Sequence, residues 1–401
     1  MLLNRWLAVS LIPFFAAQAQ EVSPVVTGNT QFAVDLYQEL AQGNQENVFF
    51  SPYSLSVALA MTARGASGQT LREIQEAAHL ELPVSEIPSA FAELNQALIP
   101  EPVEGCEPLT LELANGYFTQ KGFSFAPEYL SDLKNYFQAE AGELDFAADP
   151  EAARQAINAW ASQKTHDKIQ EPVPQGGVDT MTKLALLNAI YFKGNWQKPF
   201  DKAQSGPGYF TTLSGKNLRG PMMHDSNRSL AYYRGPDYQA ALLPYCGEAA
   251  MLVLLPDDGK FADLESRLSP DLLEEAWGSL EEVPANLSMP RFTFTPESIA
   301  LQETLQELGI VQAFGDNADF SVMRPENDLK LQNVFHQAMV AVDEAGTEAA
   351  AVSAVAVGTR SLPAKPEVNL ELDRSFIFAI VHPETQSLLF LGRLTDPSQS
   401  Q

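Results

Sequence analysis

Between Gly346 and Gly358 the chain is built almost entirely from Ala, Val, Ser and Thr, with Glu348 as its single charge. Such a segment has little side chain to bury, so little anchors it to one place. It runs into Arg360 and then the Pro- and Lys-containing stretch Leu362 to Pro366, and an accessible Arg in a loop is where proteases of trypsin specificity cut. As a strand of period two with Glu348 toward solvent, the segment would turn Thr347, Ala349, Ala351, Ser353, Val355 and Val357 toward a core. All six are small or β-branched, so one segment could serve as an exposed loop or as an inner strand. An Ala-rich helix or a plain linker remain open readings, although no polar face recurs at helical spacing.

The chain has 401 residues, 45% hydrophobic and 19% charged, which suits a globular protein and excludes global disorder. A net charge of −26 makes nucleic acid an improbable partner, because phosphate contacts need clustered Lys and Arg. Residues 1–19 read as a secretory signal peptide: Asn4-Arg5, an apolar run from Trp6 to Phe15, then Ala17-Gln18-Ala19. The run is well short of the roughly 20 residues that span a bilayer, so no membrane anchor is expected. Cys106 and Cys246 are the two cysteines. The first falls in a Pro/Glu-rich connector and the second near a strand turn, and the expectation is that they do not pair.

Apolar spacing predicts a helix from about Asn29 to Ala41, with Phe32, Leu36, Tyr37 and Leu40 on one face. Asn47 to Phe50 reads as a strand stub. Ser51-Pro52 then caps and opens a helix that closes near Gly65, and Thr70-x-x-Glu73 reads as the capping box of the next one. Further helices are expected at 87–98, 127–138, 150–166, 261–268, 272–280 and 301–308, the last ended by Gly309. Strands are expected at 109–119, 143–146, 184–192, 290–294, 376–382 and 388–394, with short strands and turns from Tyr209 to Pro256. Leu184 to Phe192 is almost wholly apolar, as in a strand covered on both faces. No internal repeat or low-complexity linker divides the chain, so residues 20–401 are expected to form one α+β domain.

Several stretches resemble the serpin family of protease inhibitors. Glu344-x-Gly346-Thr347-Glu348-Ala349-Ala350-Ala351 looks like the hinge of the serpin reactive-centre loop. Asn47 to Thr70, Leu184 to Phe200 with Gly194-Asn195-Trp196, and Phe314 to Met323 with Ala318-Asp319-Phe320-Ser321 resemble other serpin segments. The likeness covers about Thr30 to Pro397. It implies a large, mostly antiparallel central sheet, smaller sheets, eight to nine helices and an exposed loop over about 344–366. In serpins the cleaved bond follows the fourteenth residue after the hinge glycine, which makes Arg360-Ser361 the bait bond; Lys365 lies too far along. Ser51, Ser54, Asn188 and His336 would form a polar cluster under the sheet where it parts, and Trp196 would lie at the top, where insertion begins. The ordinary reading of these five is capping and packing.

The resemblance implies a suicide substrate of trypsin-like serine proteases, ending in a covalent complex, from a monomer that needs no cofactor or metal. A non-inhibitory serpin, acting as a carrier, storage or chaperone-like protein, is the alternative. An enzyme is disfavoured: G-x-S-x-G, H-E-x-x-H and the phosphate-cradling G-x-x-x-x-G-K-[ST] are absent, and His79, His166, His224, His336 and His382 lack metal-ligand spacing. Leu82 to Leu98 contains no Lys or Arg, which argues against a heparin-type activator.

Overall fold

The computed structural model describes residues 23–101, 103–294, 297–332, 334–347 and 366–399. Residues 1–22, which include the expected signal peptide, and Glu348 through Lys365, including the expected Arg360-Ser361 bait bond, lie outside them. The first half of the chain holds α1 (Pro24–Ala41), β1 (Val48–Phe50), α2 (Pro52–Gly65), α3 (Gly68–Ala77), α4 (Ile87–Ala97), β2 (Thr110–Gln120), α5 (Pro127–Asn135), β3 (Glu140–Leu144), α6 (Pro150–Lys164) and β4 (Leu184–Asn195). Next come β5 (Gly206–Thr211), β6 (Asn217–Arg234), β7 (Tyr238–Pro244), β8 (Ala250–Pro256), α7 (Phe261–Ser266), α8 (Pro270–Gly278), β9 (Glu281–Pro290) and β10 (Phe292–Phe294). The chain ends with β11 (Ile299–Ala300), α9 (Gln302–Glu307), β12 (Phe335–His336), β13 (Val340–Val342), β14 (Gly346–Thr347), β15 (Val368–Glu371), β16 (Phe376–His382) and β17 (Ser387–Leu394).

Two mostly antiparallel sheets carry the structure. One runs β1-β17-β16-β8-β7-β6-β9-β15, with β5 added on β6, and the other runs β10-β13-β14-β4-β2-β3. β16 and β17 are buried throughout, as their predominantly apolar composition favours, and the buried Arg393 within β17 is paired with Glu265. α2 packs between the sheets, against β17 and β4, and α1 packs on β17 and α2; Phe32, Leu36, Tyr37, Leu55, Leu59 and Met61 all join the main core. A smaller, separate core of Phe118, Phe146, Ile157 and Leu187 lies where α6 crosses the six-stranded sheet. The expected fold class holds, with Gly346–Thr347 in the six-stranded sheet beside a larger, nine-stranded one.

Two details of the helices depart from expectation. α1 starts at Pro24, one turn before Asn29, whose buried amide instead donates to the Leu388 carbonyl at 2.9 Å. Thr70 and Glu73 form no capping box, because α3 already begins at Gly68. Thr70 instead accepts the Asp319 N–H at 2.8 Å, and Glu73 accepts those of Val311 and Gln312; both serve tertiary contacts.

The largest correction is a disulfide between Cys106 and Cys246, with Cα atoms 5.6 Å apart across 140 residues of sequence. The turn after β7 brings Cys246 back to Asn195 at the end of β4, where its N–H donates to the Asn195 carbonyl at 2.7 Å. Asn195 in turn donates to Glu107, next to Cys106. Replacing both cysteines with Ser should lower unfolding stability by about 2–4 kcal/mol, since closing a long loop restricts the unfolded chain. Urea titration followed by circular dichroism checks this, and an unchanged midpoint would mean the cross-link restrains nothing.

Candidate functional site

The site lies where the six-stranded sheet divides. β4 pairs with β2 along ten rungs, from Lys193 opposite Thr110 to Leu184 opposite Thr119. Among the described residues, its other edge carries a strand only at the top, where Gly346 faces Asn195 and Thr347 faces Gly194. Thr347 also faces Val342 of β13. The first two residues of the small-residue segment therefore already sit between β4 and β13, and among the described residues no strand continues between those two below them.

A tight hairpin puts them there. Asp343 donates its N–H to the Gly346 carbonyl at 2.9 Å, and its carboxylate accepts the N–H groups of Ala345 and Gly346 at 2.8 and 3.2 Å. Gly346 is needed because any Cβ would collide with the Gly194 carbonyl. Glu344 is buried, and both its oxygens take the Arg291 guanidinium at 2.5 and 2.7 Å. Burial raises the Glu344 pKa, but the Arg291 bond and neighbouring hydrogen bonds outweigh it and hold the carboxyl below its ordinary value.

Trp196 is the seat of this hairpin. Its ring is buried, stacks on Tyr245 with centroids 4.4 Å apart, and donates through Nε1 to the Asp343 carbonyl at 2.9 Å. Its backbone N–H donates to the Ala345 carbonyl, and that of Phe200 to the Glu344 carbonyl, both at 2.8 Å. The Tyr245 hydroxyl lies 2.6 Å from that of Thr347, and burial pushes the phenol pKa well up. Cys246 follows Tyr245 directly, so the disulfide fastens the same corner.

Halfway down the split, Ser51, Ser54, Asn188 and His336 come together. Ser51 caps α2 by accepting the Ser54 N–H at 3.1 Å, and its own N–H donates to His336 Nε2 at 3.0 Å. The Ser54 hydroxyl donates to Asn188, which donates to Asn115; Asn115 ends the chain by donating to the Phe137 carbonyl at 2.7 Å. Capping and polar clustering are thus one arrangement. Asn115, Arg291 and Tyr245 were not singled out from sequence. A lone Asn in the middle of a strand could have flagged Asn115, because a buried amide needs partners. Arg291 and Tyr245 gave no comparable signal.

Burial pushes His336 down to about 4 from an ordinary 6.5, and as an acceptor for Ser51 its Nε2 carries no proton. Between those values the unfolded chain binds a proton that the folded one refuses. The stabilisation is therefore complete above pH 6.5 and lost as pH falls toward 4, by roughly 3 kcal/mol at 1.36 kcal/mol per unit. His336→Gln keeps an acceptor without the titration. Its urea midpoint should stay flatter than the parent's between pH 6.5 and 4, and parallel curves would remove His336 as the cause.

The family model described as serpin (serine protease inhibitor) matches residues 27–397. The leukocyte elastase inhibitor of Bos taurus is 38% identical, over 92% of this chain and 98% of its own length. A serpin-like protein of Thermococcus kodakarensis is 36% identical, over 93% and 86% respectively. The structure of thyroxine-binding globulin in complex with thyroxine superimposes with a TM-score of 0.82 at 30% identity, covering 94% of this chain and 99% of that one. The placement of Gly346–Thr347 between β4 and β13 agrees with these likenesses: the chain belongs to the serpin family.

Proposed function

We propose that this serpin inhibits trypsin-like serine proteases as a suicide substrate cut at Arg360-Ser361. The observation that carries the reading is Gly346–Thr347 held between β4 and β13 at the head of a split sheet. The register supplies the path. Continued rung for rung, the next ten residues of the loop would run down β4, with Val357 opposite Leu184 at its far end. Ser353 would fall opposite Asn188 on one side and His336 on the other, level with the polar cluster. The positions expected to face inward, Ala349, Ala351, Ser353, Val355 and Val357, include no Pro and no charge. Neither a missing ladder donor nor a buried ion opposes insertion.

The chemistry belongs to the protease. Its serine attacks the Arg360 carbonyl, the bond to Ser361 breaks, the new Ser361 amine takes the proton held by the protease's histidine, and an ester joins the two proteins. Release of the loop's far end lets it enter the split. Ten residues of new ladder at about 0.5–1.5 kcal/mol per hydrogen bond give on the order of 10 kcal/mol. Losing one oxyanion-hole donor costs a protease about 3–4 kcal/mol of catalysis, so insertion can hold the ester unhydrolysed. Residues 1–19 would export the chain, as a monomer, to where such proteases act.

The likeness to thyroxine-binding globulin favours a second reading, a carrier whose loop is merely cut. Mixing the mature protein with trypsin and running denaturing gels separates the two. Inhibition yields a denaturant-stable adduct and a released fragment beginning at Ser361. Cleavage at that bond without an adduct would favour the carrier, and no cut there would dismiss Arg360 as the bait. Val355→Asp, which would bury a charge in the inserted strand, should turn most of the adduct into cleaved chain while leaving the cut after Arg360.

A further inference from the structure

Below the polar cluster, the split opens onto a cavity of about 220 Å³. Leu59 of α2, Leu184 and Leu186 of β4, and Leu331, Val334 and Phe335 on the opposite side line it. The polar groups around its mouth are already engaged. The Thr182 hydroxyl donates to Gln332 at 2.6 Å, Gln332 donates to Asp179 at 3.0 Å, Asp328 takes Arg324 at 2.8 Å, and the Lys183 amine lies over the Phe123 ring. A net charge of −26 disfavours an anionic guest.

We infer that this cavity is a binding site for a neutral apolar molecule of one or two fused rings, and that such a molecule competes with the chain's own loop for the lower half of the split. Size sets the ligand class: apolar cavities of about 150 Å³ stay dry and take benzene, so the larger space here suits a bicyclic guest. A wall of leucine and phenylalanine with a satisfied polar rim gives a charged or strongly hydrogen-bonding ligand nothing to pair with, and desolvating such a ligand would cost more than it returns. The competition rests on the insertion reading above. The same register that sets Ser353 beside His336 sets Val355 and Val357 opposite Leu186 and Leu184, two residues of the cavity wall. A bound ring and an inserted strand would claim the same walls, so each must weaken the other by the same factor.

5-Fluoroindole is a suitable probe, followed by fluorine NMR, against the uncleaved chain and against chain cut within residues 348–361 by a non-specific protease. The expected result is saturable binding to the uncleaved chain and binding at least about tenfold weaker to the cut one. Ala58→Phe, which fills the cavity from α2, should abolish binding to the uncleaved chain at an unchanged unfolding midpoint. If that variant does not fold, the two forms of the natural chain still decide. No saturable binding to the uncleaved chain would overturn the site, whatever the loop does. Equal binding to both forms would leave the site standing and overturn the competition, and with it the proposed path of insertion.

Discussion

The architecture turns on a strand edge that is only partly used. β4 spends one edge on β2 along ten rungs and, among the described residues, gives the other to a strand only at Gly194 and Asn195. An open edge in the middle of a sheet is a standing invitation to pair with an extended segment. Here the segment best placed to answer is tethered to the top of the opening by a four-residue hairpin. The elements around the split make sense in that light: the Asp343 turn starts β14 in register, and the Arg291–Glu344 pair fixes its entrance. Trp196 and Tyr245 form a rigid floor beneath it.

The polar cluster shows why the split does not simply collapse. Fusing β4 directly onto β13 would have to accommodate a buried histidine and two buried or half-buried asparagines at one level. Each of these is committed to a partner: His336 to the Ser51 N–H, Asn188 to Ser54 and to Asn115 on the neighbouring strand, and Asn115 to the Phe137 carbonyl. Because unmet buried polar groups cost more than met ones return, the network holds α2 and the two sides of the split in a defined relation.

Much of this was legible in the sequence where the physics is local. Ser51-Pro52 marked the start of α2, and Gly309 marked a helix end, where its φ is +107°. Relations between distant residues were not legible. Glu344 announced a charge in the hinge but not that Arg291, 53 residues earlier, would bind it. The Thr70–Glu73 spacing matched a capping box, yet tertiary contacts to the 311–319 segment took both side chains. Cys106 and Cys246 gave no hint of pairing, because what unites them is the return of the β7 turn to the top of β4.

The position of that disulfide bears on how the sheet could open. For a strand to enter, β4, β2 and β3 must draw away from β13 and β10, while the nine-stranded sheet that contains β7 stays behind as the frame. The bond joins these two bodies, Cys106 shortly before β2 and Cys246 just after β7, so a cross-link in the lower half would forbid the movement. At the top it does not, because Gly346 and Thr347 already occupy the space between β4 and β13 there. The separate small core under α6 lets that helix travel with β2 and β4 without tearing the main core. On the proposed path of insertion, the covalent bond would hold the end where Gly346 and Thr347 already sit, and the hydrogen-bonded cluster and the apolar cavity would be the parts that yield.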